Sequence, residues 1–427
     1  MSNLPENAAY RTRAWIHVAL VFLFMLVNFA DKAVVGLSSV PIMRELGLSN
    51  TQFGELGSAF FLLFSISGVA GGFLANRVRT KILMFAMAVV WGVALLPVSL
   101  ASSFGLLLLS RIVLGAAEGP AFPVALHAVY KWFPDRLRAL PTSVVACGAA
   151  FGTGVIAPLI TWIIVHHGWH RAFGALGAAG LLWACLWFIV AEDGPIDDDT
   201  ARSGAERRVP YRRLMSSRTA IGVFLAGFGA YWVIALNITW LANYLMKALH
   251  FAPAQAAWIV GLPSVLQMIL APSLALLSQV LIRRGVSSRV SRGILGALCV
   301  VTAGASMMAM AFLPVGPLKV ALIGLGFSVG SVIFTLGSTL IGEISPASQR
   351  GAMLGVTNSI HTLAGLCAPF VMGLIVDVGA NPEAGFRTGY LYAGALVAAL
   401  GLAAAILIEP RADLCKFAQL ERDNARQ

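Results

Sequence analysis

Charge is scarce in this chain. Asp, Glu, Lys and Arg make up 11% of its 427 residues, where a soluble domain carries about 25%. So few charges cannot cover a water-exposed surface, which excludes an ordinary soluble globular protein. Cysteine chemistry is thin as well. Cys147, Cys185, Cys299, Cys367 and Cys415 show no metal-ligand spacing, and four of them lie inside apolar runs, where cysteine behaves as a small core residue. Neither a disulfide framework nor a zinc module is indicated. His166, His167 and His170 lie together in a loop between apolar runs; they read as a solvated turn rather than a metal site. With no metal cluster and no nucleophile–base pair in view, the chain is read as no enzyme and as needing no cofactor. Strict apolar–polar alternation, the mark of a membrane β-strand, does not occur. The net charge of +11 could suggest nucleic acid, but the basic residues fall in short segments between apolar runs, so no nucleic-acid partner is expected.

What the chain has is apolar length. It is 58% hydrophobic with a mean hydropathy of +0.82, and runs of about 20 apolar residues, each long enough to cross a bilayer core, recur from end to end. The expected fold is an all-α membrane protein of twelve transmembrane helices, at about 14–40, 51–76, 81–102, 104–131, 139–165, 170–191, 218–245, 254–281, 293–313, 317–341, 351–377 and 387–408. The first run, flanked by Arg11 and Arg13, is too long for a signal peptide and lacks a cleavage site, so it reads as a retained span. One long hydrophilic segment, EDGPIDDDTARSGAERRVPYRRLMSS, follows the sixth span. It divides the chain into an N-terminal six-helix half (1–192), a linker (193–217) and a C-terminal six-helix half (218–427). Lys and Arg crowd alternate loops, including those with Arg77, Arg79 and Lys81, with Lys131, Arg136 and Arg138, and with Arg283 and Arg284; the opposite loops hold only Arg44, Arg171, Lys247, Lys319 and Arg387. By the positive-inside rule both termini and the linker are cytoplasmic, in a multi-pass protein of the cell membrane, read as a bacterial inner membrane. Two such halves match the layout of a rocker-switch transporter with a site between them near the midplane, functional as a monomer within the lipid bilayer.

Four charges interrupt this pattern. Asp31 and Lys32 stand inside WIHVALVFLFMLVNFADKAVVGLSSV, and Arg111 and Glu118 inside FGLLLLSRIVLGAAEGPAFPVALHAVY. Each costs roughly 2.5–3.5 kcal/mol at the bilayer centre, so such residues are kept only if they pair, face water or do work. At 1.5 Å per residue, Asp31 lies about 13 Å from the outer end of its span and Arg111 about 10 Å from the outer end of its own. Glu118 follows Arg111 by seven residues, two turns further on nearly the same face. Two carboxylates and two cations at matched depth can trade partners, and a carboxylate among them can take up a proton. The bland alternative is a pair of static salt bridges pinning helices together. In GAAEGPAFP, Pro120 and Pro123 remove backbone donors and bend the helix, either for packing or to admit a ligand. Further polar candidates are Asn358 and His361, three apart on one helix face, and Asn237 with Tyr231 and Trp232 earlier in the same span. Each is either satisfied by a neighbouring helix or faces a cavity.

The ordered set NFADK, ELGLSNTQFGELGSAFFLLF, RIVLGAAEGPAFP, YKWFPDRLRA and GWHRAF resembles the major facilitator superfamily, and within it the anion:cation symporter family of bacterial sugar-acid carriers and sialin-like proteins. The resemblance covers nearly the whole chain and is densest from Asn28 to Phe173. It implies proton coupling at Asp31 and Glu118, binding of a substrate carboxylate by Lys32 and Arg111, and substrate contact at Asn358, which matches the family's asparagine in the eleventh span. It also implies a gate at the motif G-x-x-x-D-R-x-G-R, written here GFLANRVRTK, with Asn76 in place of the acid, Arg77 retained and Arg79 in place of the glycine. Phe64 and Ala149 occupy positions where a sugar-acid carrier presents tyrosine and glutamine, and Lys32 replaces arginine. A lysine offers no bidentate fork, and the pocket reads as suited to carboxylates with few hydroxyls. The expected function is proton-coupled uptake of a small organic anion by alternating access, with Tyr231, Asn237 and His361 as further substrate contacts and the proton as coupling ion. The alternatives are an exporter of organic cations or drugs, which two buried cations disfavour, and a membrane receptor that no longer transports.

Overall fold

The structure is a computed structural model that describes residues 8–75, 78–100, 103–134, 137–195, 209–346 and 349–426. Continuous apolar runs leave no polar stripe to mark a strand, and every long run is helical. In the first part of the chain the helices are α1 (Ala8–Leu37), α2 (Ser39–Leu46), α3 (Asn50–Ala75), α4 (Thr80–Leu100), α5 (Phe104–Glu118), α6 (Ala121–Tyr130), α7 (Ala139–Ala150), α8 (Ala157–His167) and α9 (Trp169–Val190). The later ones are α10 (Tyr211–Met215), α11 (Arg218–Leu236), α12 (Pro253–Arg283), α13 (Leu295–Phe312), α14 (Pro317–Gly326), α15 (Val332–Ile344), α16 (Arg350–Val378), α17 (Pro382–Leu407) and α18 (Pro410–Arg426). Eleven helices among the described residues are long and apolar enough to cross a membrane; α3, with 26 residues, is the twelfth span. Large apolar side chains face outward, among them Leu182, Ile189 and Trp258, each at least 70% exposed, as lipid contact requires.

Several spans are less regular than simple apolar runs suggest. The first span ends at Leu37 rather than at residue 40, and α2 follows it, closed by Gly47 at φ 64°. The fourth span is not merely bent. It loses helical hydrogen bonds at the α5–α6 junction, because Pro120 and Pro123 have no N–H for the carbonyls of Ala116 and Gly119, although Gly119 and Pro120 keep helical dihedrals and the span runs on from Phe104 to Tyr130. The fifth span widens at Phe151–Val155 into a π-turn, in which the Ile156 N–H reaches the Phe151 carbonyl at 3.0 Å. The seventh span carries two such segments, Asn237–Leu241 and Tyr244–Ala248. The tenth is split by Val329–Ser331. Lys319, read as a loop residue, lies instead in the first turn of α14 and is buried. Its Nζ donates to the Leu313 carbonyl at 3.0 Å, one of the carbonyls that the end of α13 leaves without a helical partner.

The chain forms two compact units. The first comprises 1–48, 55–202 and 252–261, the second 49–54, 203–251 and 262–427. In the first unit α4 packs on α9 and α1 on α7. Phe24 lies between Trp91 and Trp183, with centroids at 4.6 and 4.7 Å, and the Trp183 indole donates to the Leu20 carbonyl at 2.8 Å. At the end of α9 the Glu192 N–H donates to His17 Nε2 at 2.8 Å, and Asp193 accepts from Thr80 Oγ1 at 2.7 Å.

In the second unit α13 packs on α17 and α11 on both α16 and α17. Asp413 of α18 accepts from the N–H groups of Arg218 and Thr219 at 3.3 and 2.8 Å, satisfying two of the orphan donors at the start of α11. Asp377 serves Asn50 and Thr51 in the same way, accepting both their N–H groups and their side chains at 2.5–3.0 Å. Gln349 pairs with both backbone groups of Val209, at 2.8 and 2.7 Å.

Candidate functional site

The four charges that break the apolar pattern meet inside the first unit. Neighbours on a helix point about 100° apart, and Asp31 and Lys32 use that divergence to take different partners on α5. Arg111 NH2 donates to Asp31 Oδ1 at 3.3 Å. Lys32 Nζ lies 2.8 Å from Glu118 Oε2. Asp31, Lys32, Arg111 and Glu118 are 2%, 7%, 3% and 1% exposed, so bulk water does not screen them. The carboxylates of Asp31 and Glu118 also neighbour each other. With two charges of each sign, the cluster is formally neutral.

The pairing is incomplete. The directed hydrogen bond of the Lys32 ammonium goes to Asn28 Oδ1, at 2.5 Å, so the Lys32–Glu118 contact is ionic rather than directional. Among the described residues, Asp31 Oδ2, Arg111 Nε, Asn28 Nδ2 and both carboxylate oxygens of Glu118 are buried without a hydrogen-bond partner. Burial of an unsatisfied polar atom costs about 1–3 kcal/mol, and five of them around one cluster leave it able to gain from a further polar group or a proton.

The site's walls are aromatic. Lys32 Nζ lies 4.1, 5.7 and 5.6 Å from the ring centroids of Phe29, Phe60 and Phe64, and the Arg111 guanidinium lies 5.8 Å from that of Phe173. Glycine brings these walls in. A Cβ on Gly115 would fall 1.8 Å from the Phe60 carbonyl oxygen, and one on Gly119 2.2 Å from that of Phe64, so α3 touches α5 backbone to backbone beside the charges.

Phe64 thus joins the cluster of Asp31, Lys32, Arg111 and Glu118, whereas Tyr231, Asn237, Asn358 and His361 belong to the second unit. Tyr231 is half-buried with its ring 6.2 Å from that of Phe334. Asn237 is half-buried and opens a π-turn, a distortion frequent at functional sites. Asn358 is exposed. His361, on the same helix, is 4% exposed; its Nε2 is 3.1 Å from the Val223 carbonyl, and its ring packs on Gly227 and Phe334. Asn76 and Arg77 lie outside the described residues. His166 and His167 are exposed, and His170 Nε2 lies 3.3 Å from Glu45 Oε1.

Asn28, Phe29, Phe60 and Phe173 were not singled out from the sequence. The i, i+4 spacing of Asn28 to Lys32 and of Phe60 to Phe64 was the available signal, since such residues share a helix face.

The profile of the major facilitator superfamily matches residues 20–329 and 223–422, and the chain belongs to that family. It is a multi-pass membrane transport protein with the family's twelve-helix fold. Among curated relatives, it is 25% identical over 438 residues to a D-galactonate transporter of Escherichia coli, across 95% of this chain and 98% of the relative. It is 27% identical over 426 residues to a probable sulfoacetate transporter of Cupriavidus necator, across 94% of both chains. It is 24% identical over 401 residues to a hexuronate transporter of Bacillus subtilis, across 92% of this chain and 94% of the relative. These relatives agree with the resemblance to the anion:cation symporters. Among solved structures, a bacterial homologue of the human lysosomal transporter Spinster superposes with a TM-score of 0.72 at 19% identity, over 96% of this chain and 99% of the other. A D-xylose–proton symporter superposes with a TM-score of 0.73 at 17% identity, over 92% and 97%.

Proposed function

We infer that this protein couples entry of a small organic carboxylate to entry of a proton. One observation supports the reading above the others: Asp31, Lys32, Arg111 and Glu118 form a buried cluster with two charges of each sign. Addition of a substrate carboxylate brings the cluster to a formal charge of −1. Uptake of a proton by Asp31 or Glu118 restores neutrality and frees a cation to hold the anion. In a low-dielectric site an uncompensated charge is costly, so the loaded carrier moves with both ligands or neither.

Lys32 and Arg111 supply the counter-charge, and Phe64 lines the carboxylate's surroundings. Tyr231, Asn237, Asn358 and His361 are proposed substrate contacts from the second half, and Asn76 with Arg77 a gate. The proposed cycle rocks halves 1–192 and 218–427 about linker 193–217, in a monomer of the cell membrane with both termini cytoplasmic. Carboxylate and sulfonate carriers among the relatives support an anionic substrate over an organic cation.

Uptake of labelled carboxylate into proteoliposomes tests this directly. A symporter takes up label faster, and above the equilibrium level, under an inward proton gradient. Uptake indifferent to that gradient and unaffected by a protonophore refutes the coupling.

A further inference from the structure

We propose that the carboxylate taken by this site bears an aromatic ring, and that the ring lies against Phe29 and Phe64. The proposal rests on the reading of the site as a carboxylate site and adds the class of acid. Lys32 is an ammonium with only two oxygen partners, Asn28 Oδ1 at 2.5 Å and Glu118 Oε2 at 2.8 Å. The rest of its surroundings includes the faces of Phe29, Phe60 and Phe64, with centroids within 5.7 Å.

These rings are not equivalent. Phe60 is 5% exposed and closed over by Phe61 and Phe64, with centroids at 5.0 and 5.3 Å. Phe29 and Phe64 are half-buried and retain open surface. A ring that meets a buried ammonium is turned toward the polar centre rather than toward lipid tails.

The unused hydrogen-bonding capacity is equally one-sided. Among the described residues, the buried donors left unpartnered here are Asn28 Nδ2 and Arg111 Nε, beside the unpartnered oxygens Asp31 Oδ2 and Glu118 Oε1 and Oε2, and all belong to the charge cluster itself. The site therefore offers donors for one carboxylate at one end and aromatic surface beside it. That is the outline of an arylcarboxylate, with its carboxylate on Lys32, Arg111 and Asn28 and its ring edge-on or offset against Phe29 and Phe64, the arrangements that aromatic pairs prefer. A polyol acid would set hydroxyls against those ring faces, which offer them no strong acceptor or donor. A saturated ring of similar size buries the same area but lacks the aromatic pairing, a difference of about two- to tenfold in affinity.

The test is binding of benzoate, cyclohexanecarboxylate and gluconate to the purified full-length protein, by calorimetry and by competition for uptake. Benzoate is expected to bind about two- to tenfold tighter than cyclohexanecarboxylate and at least about tenfold tighter than gluconate. In Phe29→Leu and Phe64→Leu the ratio of benzoate to cyclohexanecarboxylate affinity should fall toward one. Equal or tighter binding of gluconate or cyclohexanecarboxylate overturns the aromatic assignment while leaving a carboxylate site standing. So does a benzoate preference that survives both substitutions. Binding of none of the three overturns the assignment and the carboxylate reading together. If either variant fails to fold, the wild-type ratios alone decide.

Discussion

Lys32 of α1 and Glu118, the last residue of α5, approach to 2.8 Å with 6% and 0% of their side chains exposed. Glu118 sits at the junction of α5 and α6, just before the Gly119–Pro120 step at which helical hydrogen bonds are lost. Glu118 is 1% exposed, so bulk water supplies no help in holding its charge. The Lys32 ammonium does, together with whatever proton reaches it. In the proposed mechanism the pair joins a cation that is lent to a substrate to an acid that is neutralised when the cation leaves.

Glu118→Gln fixes that acid in a form resembling its protonated state at nearly the same volume. Exchange of labelled for unlabelled substrate is expected to continue, while accumulation against a gradient is lost, because the proton no longer enters the cycle. Counterflow and gradient-driven uptake in the same proteoliposomes separate the two. Accumulation by Glu118→Gln at the wild-type level would show that coupling lies elsewhere.

Arg111→Ala leaves Asp31 buried opposite no cation, and a broken buried pair costs about 3–5 kcal/mol. The expected result is a lowered thermal midpoint together with loss of substrate binding. Asp31→Asn combined with Arg111→Ala should recover stability, because the stranded charge is gone, yet should not recover binding. If the double variant binds substrate like the wild type, Arg111 is a structural ion-pair partner and not a substrate ligand.

The four charges were legible because hydropathy makes them conspicuous, and helical rise put Asp31 and Arg111 at similar depth. Their pairing was not legible. Periodicity assigns a residue to a face of its own helix but does not say which residue of another helix lies opposite. Lys32 with Glu118 and Asp31 with Arg111 emerge only once α1 and α5 are packed. The hydrogen bonds lost after Glu118 were foreshadowed by Pro120 and Pro123, since a missing N–H is a local property. The π-turns at Phe151–Val155 and Asn237–Leu241 had no such mark: a one-residue register slip is decided by packing. His361 shows the same limit. Its spacing from Asn358 placed both on one face, but the approach of Gly227 sets the histidine into the interior of the second unit while Asn358 stays exposed.

Gly115 and Gly105 lie in the same helix, α5, and should respond oppositely to a single methyl group. A Cβ at Gly115 would fall 1.8 Å from the Phe60 carbonyl oxygen, a backbone atom that cannot rotate away, whereas one at Gly105 meets nothing within 4 Å. Gly115→Ala should cost about 1–3 kcal/mol or more and weaken substrate binding by pushing Phe60 and Phe64 off Lys32. Gly105→Ala should be neutral or stabilise by up to about 1 kcal/mol through helix propensity. Thermal midpoints in detergent check the pair, and similar shifts in the two variants would disprove the close approach of α3 and α5.

The chain just after α9 makes two interactions of opposite worth. Arg13 and Glu192 form an ion pair at 3.5 Å, with 64% and 60% of their side chains exposed; pairs of that kind contribute about 0–1 kcal/mol. His17, two turns from the start of α1, is 4% exposed. It stacks on Trp132 at 4.3 Å and accepts the Glu192 N–H at Nε2, while Nδ1 lies 2.8 Å from the Arg13 carbonyl. Acceptance at Nε2 assigns the ring proton to Nδ1, which donates to that carbonyl. His17→Ala strands the Glu192 N–H and removes a stacked ring, while the Arg13 carbonyl keeps its helical partner, so a loss of about 1–3 kcal/mol is expected. Arg13→Ala should stay within about 0.5 kcal/mol of the wild type. Amide exchange at Glu192 gives the local readout: it should accelerate in His17→Ala and keep its wild-type rate in Arg13→Ala. If the arginine variant exchanges as fast as the histidine variant, the ion pair and not the imidazole holds the chain after α9 to α1.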